Sequence, residues 1–143
     1  MGLDAVVFKH RSKLPVDPEQ VGLRMEESTG EWYSETGNVP EPIRAAGVEA
    51  LHKRLGNVSM IAALGREVGL LLPGSSVLLS KVLYEGGHAG DVISTDQIAA
   101  LRQEIARLRE QAPTPSLELA TLLNELEALA SAAEENHNPI AFV

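Results

Sequence analysis

The feature that most restricts the fold is the aliphatic periodicity between Ile98 and Ala133, with one rigid interruption. Ile98, Leu101, Ile105 and Leu108 recur at steps of three and four, and so do Leu119, Leu122, Leu123, Leu126, Leu129 and Ala130. That spacing lines up apolar side chains along one face of an α-helix. Ala112-Pro113-Thr114-Pro115 separates the two runs, and proline both lacks a helical N–H donor and clashes with the preceding turn. Thr114 is expected to cap the second helix, with Pro115 in its first position. Ser94, three residues before Gln97, has the form of a capping box and opens the first helix. Its opposite face, with Arg102, Glu104, Arg107 and Glu110, is expected to meet solvent. Two helices joined by so short a turn pack antiparallel, the second ending near Ala133.

A helical pair needs a second layer, and the composition limits its material. Hydrophobic residues make up 44% of the 143 residues but aromatics only 3%, so the core is built from Leu, Val, Ile and Ala. Residues 3–9 read as a first strand buried on both sides, and residues 138–143 as a last strand beside it. Pro15 and Pro18 mark a loop, Trp32 lies in a short strand with residues 25–28 as its mate, and residues 36–42 form another loop. Val48, Leu51, Leu55, Val58 and Ala62, with Ile61, Leu64, Val68 and Leu71, continue the helical spacing from 43 to 72, broken or kinked at Gly56-Asn57. Residues 77–84 are too short for periodicity to separate helix from strand, and helix is the favoured reading. The expectation is one α+β domain over residues 1–143. It is mostly helical, with four to five helices and a small sheet of the N- and C-terminal strands and the Trp32 segment.

Several function classes are excluded or made remote by composition. The chain has no cysteine, which removes disulfides, thiolate nucleophiles and cysteine-ligated zinc. Its four histidines stand singly, so neither a metal nor a cofactor is expected. The formal charge of −8 opposes binding to a phosphate backbone. The acidity is uneven: residues 1–60 hold seven Lys/Arg and nine Asp/Glu, residues 61–143 five and eleven. A membrane partner is not expected, since no stretch has the apolar length of a span and the N-terminus lacks a charged-then-apolar signal layout. Met1-Gly2 begins like an acylation site, but position 6 is Val. The expected location is cytoplasmic.

Candidate site residues concentrate in residues 80–91, where Gly86, Gly87 and Gly90 crowd His88 and Asp91. Ser80, Lys81, Tyr84, Gly87, His88 and Asp91 are the candidate binding loop. Asp91, three residues beyond His88, is close enough to orient its imidazole. The alternative is that His88 and Asp91 tie down their own turn. No nucleophile elbow, phosphate loop or dinucleotide fingerprint accompanies them, so the reading leans away from an enzyme and names no catalytic residue. A second polar cluster, His52, Arg54 and Asn57, is expected to cap the helix break. Trp32, Glu118, Glu125 and Glu127 are the candidate partner-facing residues, an acidic face complementary to a basic protein.

The stretches Met1-Gly2-Leu3-Asp4-Ala5-Val6-Val7, His52-Lys53-Arg54-Leu55-Gly56-Asn57, Ser80-Lys81-Val82-Leu83-Tyr84 with Gly87-His88-Ala89-Gly90-Asp91, and Asn138-Pro139-Ile140-Ala141-Phe142-Val143 together resemble a family of small bacterial proteins with no assigned activity. The resemblance spans nearly the whole chain. In its small, acidic style that family is similar to immunity proteins that neutralise bacterial toxins. The resemblance implies a cytoplasmic binding protein that blocks a basic toxin through its acidic face. The competing expectation is a small-molecule-binding protein or an enzyme with its site at the loop around His88.

Overall fold

Strand β1 (Gly2–Phe8) is the centre of the sheet. Leu3, Ala5 and Val7 belong to the main core, while Val6 and Phe8 are equally buried outside that cluster. From Ala5 to Phe8 the strand is therefore covered on both faces, as its apolar run predicts. A strand so enclosed has to pair its backbone N–H and C=O groups on both edges. In the computed structural model, which describes residues 2–13, 23–25, 32–34, 47, 49–72, 76–84, 86–88 and 91–143, two strands do this.

Strand β4 (Glu49–Asn57) lies antiparallel on one edge of β1, and β6 (Ile140–Phe142) antiparallel on the other. Strand β5 (Val92–Ile93) pairs antiparallel with β6, giving the order β4-β1-β6-β5. The C-terminal strand thus sits beside the first, as expected, with Ala5 opposite Phe142 and Val6 opposite Ala141. Strands β2 (Leu23–Met25) and β3 (Trp32–Ser34) form a separate antiparallel ladder. This corrects the expectation that the Trp32 segment joins the terminal sheet, and its mate is residues 23–25 rather than 25–28. Of the proline loop expected over residues 11–19, Arg11–Lys13 form a 3-10 turn, and the rest, like the loop of residues 36–42, lies outside the described residues.

Among the described residues, three α-helices form the second layer: α1 (Val58–Val68), α2 (Ile98–Gln111) and α3 (Leu117–Asn136). Helix α3 packs on β1, β4 and β6, and α2 packs on α3. Every apolar residue that the periodicity assigned to the inner faces of α2 and α3 is buried. A single turn of π-helix, Leu78–Val82, supports the helical reading of residues 77–84. The architecture is α+β, with the N- and C-terminal strands in one sheet.

Three local expectations are corrected. Residues 49–57 are a strand, not helix: β1 needs an edge partner, and that tertiary requirement overrides the helical spacing of Leu51 and Leu55. Helix α3 is capped by Ser116, whose hydroxyl accepts from the Leu119 N–H at 3.1 Å, rather than by Thr114. It runs to Asn136 and ends on His137 in the left-handed conformation, φ 53°. Glu104 does not face solvent freely, since its carboxylate accepts from the N–H groups of Val77 and Leu78 at 2.8 and 2.9 Å.

Candidate functional site

The loop around His88 is positioned from both sides. On its N-terminal side, Glu104 caps the first N–H groups of the π-helical turn, and the Ser76 hydroxyl accepts from Leu79 N–H at 3.0 Å. A buried helix end needs such partners, and a carboxylate there also meets the positive end of the helix dipole. The turn closes with Leu83 N–H donating to Leu78 O at 2.9 Å. It packs against α1 at Gly65, where an added Cβ would come within 2.8 Å of the Leu83 carbonyl oxygen. On its C-terminal side, the loop is tied to β6, because Phe142 N–H donates to Asp91 O at 3.0 Å.

Within this frame the polar side chains bond one another and the backbone. The Tyr84 hydroxyl donates to the Asp91 carboxylate and lies 2.8 Å from the Gly87 carbonyl oxygen. Its phenol is pushed up to about 12, first by burial, then by the hydrogen bond to Asp91 and by that carboxylate's charge. The Nε2 of His88 lies 2.8 Å from the carbonyl oxygen of Val82, a contact in which the ring N–H donates. The imidazole stacks on Tyr84 with centroids 4.1 Å apart and approaches Phe142 at 5.9 Å. Gly86 has φ 142°, and a Cβ there would come within 3.2 Å of the Tyr84 ring. Only glycine occupies that conformation without strain.

The structure therefore brings Tyr84, Gly87, His88 and Asp91 together, but not in the arrangement expected for catalysis. Asp91 holds Tyr84 rather than the imidazole, and the imidazole is oriented by a backbone carbonyl. A phenol with a raised pKa is a poor base at neutral pH. Ser80 turns back to donate to Ser76 O at 2.6 Å, so it does not join the group. Lys81 lies half-buried in the π-helical turn. Among the described residues no group of three or more His, Asp or Glu side chains is placed to hold a metal ion.

The second cluster is divided by its strand. His52 has Glu49 Oε2 at 3.1 Å from Nδ1 and Asp4 Oδ1 at 3.6 Å from Nε2, a carboxylate on each side of the ring. Arg54, two residues on and so on the same face of β4, lies over Gly2. Asn57 caps α1 by accepting from Met60 N–H at 2.9 Å, as expected of this polar trio. Of the other two, His52 reaches Asp4 of β1, and Arg54 covers the start of that strand at Gly2.

Of the partner-facing candidates, the side chain of Trp32 lies outside the described residues. Glu125 pairs with Lys53 at 3.0 Å and Glu127 with Arg109 at 2.9 Å. The Arg109 guanidinium, by hydrogen bond and then by charge, holds the Glu127 carboxyl below the usual carboxylate range. Glu134, near the end of α3, pairs with Arg102 at 2.9 Å. Glu118 is exposed in the first turn of α3.

Sequence reasoning missed the apolar feature beside Glu118. Glu67 of α1 receives both the N–H and the hydroxyl of Ser116, at 3.3 and 2.9 Å, joining the end of α1 to the start of α3. Next to these residues Leu70 is 94% and Leu117 78% exposed. Leu117 breaks the inward pattern of α3, and that break is the signal available in the sequence. No family model matches the chain, and no similar protein was found among the curated proteins or the solved structures.

Proposed function

We propose that the protein is a binding protein of the immunity type, which neutralises a basic toxin by covering part of its surface. The observation that carries this reading is the tip where α1 meets the α2–α3 turn. There two exposed leucines, Leu70 and Leu117, stand beside Glu67 and Glu118, with Glu110 in the last turn of α2. Exposed leucines beside Glu67, Glu110 and Glu118, with Arg66 in the last turn of α1 the cation next to them, make a small apolar contact that excludes water, and the excess of carboxylates favours the approach of an oppositely charged partner.

The charge balance supports the same end. From Ile98 onward there are seven glutamates against three arginines. Two of the arginines are taken up by Glu127 and Glu134, and Glu125 is taken up by Lys53. Glu110 and Glu118 take part in none of the ion pairs among the described residues. The loop around His88 supports a binder over an enzyme, because its acid and base candidates are engaged in holding the loop.

The test is genetic and then kinetic. The product of the adjacent gene is expressed alone and together with this chain. Growth arrest relieved by co-expression is expected, and relief should weaken with Leu117→Ser. A harmless neighbour, or toxicity that co-expression leaves unchanged, contradicts the reading.

A further inference from the structure

A shallow, open groove of about 580 Å³ lies between the end of β1, the start of β4 and the C-terminal half of α3. Ala50 and Leu51 of β4 and Ala128 and Ala132 of α3 line it with small apolar groups. Ala128 and Ala132 are four residues apart and share one helix face, so their short side chains leave the space open. Lys9, Lys13 and Glu135 supply its charges.

Other polar groups in the groove are already committed. The side chain of Asn136 accepts from His10 N–H at 3.1 Å and donates to Ala132 O at 2.8 Å. Ser131 receives the Arg102 guanidinium at 2.9 Å. The cations in the ion pairs among the described residues are His52, Lys53, Arg102 and Arg109, so neither Lys9 nor Lys13 is among them. Two ammonium groups against one carboxylate make this a locally positive site in a chain of formal charge −8.

The geometry points to a binding site for a small amphipathic anion, with its acid group at Lys9 and Lys13 and its apolar body along Leu51, Ala128 and Ala132. A groove of this size, with two lysines among its lining residues beside Ala50, Leu51, Ala128 and Ala132, suits such a ligand. Charge-assisted hydrogen bonds to ammonium groups fix its orientation. The inference is independent of the toxin-binding reading, since the groove and the leucine tip are separate features.

The test titrates the isotope-labelled full chain with decanoate and, separately, with decanol, following backbone amides by NMR. Decanoate is expected to shift Leu51 and Ala132 and to bind at least tenfold more tightly than decanol, the loss of a charged contact. Combining Lys9→Gln with Lys13→Gln should reduce decanoate to the affinity of decanol. Ala132→Leu should abolish binding of both, and Ala128→Leu provides the same block should the first variant melt lower. Equal affinity for the two probes, shifts confined to other parts of the molecule, no binding of decanoate at millimolar concentration, or undiminished binding in a folded leucine variant would overturn the site.

Discussion

Asn138 joins the two ends of the chain: its side-chain amide donates to the carbonyl of Phe8 at 2.8 Å, across 130 residues of sequence. The same amide reaches Lys9 O at 3.1 Å, and Asn136 accepts from His10 N–H at 3.1 Å. The backbone leaving β1 is thus held by two asparagines that flank the left-handed His137.

Removing this clamp has a definite cost. Asn138→Ala leaves the Phe8 and Lys9 carbonyls without that donor in a site where Asn138 is 1% exposed. Losing a buried hydrogen-bonding partner costs about 1–3 kcal/mol. Urea denaturation should show that loss, whereas a change under about 0.5 kcal/mol would mean the clamp is dispensable.

Deleting residues 140–143 should be more severe. Strand β6 lies between β1 and β5, and Ile140 and Phe142 are buried in the core. Each contributes about 1.5–3 kcal/mol of burial, and β1 and β5 lose their ladders with β6 as well. The truncated chain should lack a cooperative melt, and a melt like that of the full chain would contradict the terminal pairing.

The helical hairpin and the terminal strands were legible in the sequence because their signals are local: period-3.6 leucines, a capping box, and β-prone ends. Strand β4 was not, because Leu51 and Leu55 fit helix and strand alike, and the choice is made by the unpaired edge of β1. The cap at Ser116 was hidden behind Thr114, another capping residue two positions earlier that has Pro115 after it in the place proline favours. At the candidate site, the glycines and polar residues of the loop were visible, but their partners were not. That Asp91 serves Tyr84 and His88 serves the Val82 carbonyl depends on where the π-helical turn ends. The exposed Leu70 and Leu117 become a pair only through Glu67 and Ser116, which are 49 positions apart.

Two neighbouring glycines should respond differently to alanine. Gly86→Ala introduces a side chain at φ 142° and against the Tyr84 ring, a strain of about 1–3 kcal/mol. At Gly87 an added Cβ meets nothing within 4 Å, and a surface change of this kind stays within about 0.5 kcal/mol. Equal melting temperatures for the two variants would contradict the loop conformation.

Tyr84 gives the pH dependence. Its folded pKa, about 12, lies above the ordinary 10.0, so folding favours the neutral phenol. The stabilisation is fully present below pH 10 and is lost as pH rises toward 12. In a Tyr33→Phe background, absorbance titration should place the Tyr84 phenolate near pH 12, and Asp91→Asn should lower it by removing both the hydrogen bond and the charge. An ordinary phenol pKa in the folded protein would show that Asp91 does not hold Tyr84.

The claim that the polar loop is a structural tie rather than a reactive site is tested most directly by the denaturation midpoint of His88→Ala. The imidazole joins the end of the π-helical turn to the glycine loop and stacks on Tyr84, so its loss should lower stability by about 0.5–3 kcal/mol. A midpoint identical to that of the unaltered protein would contradict the claim and return His88 to the candidates for chemistry.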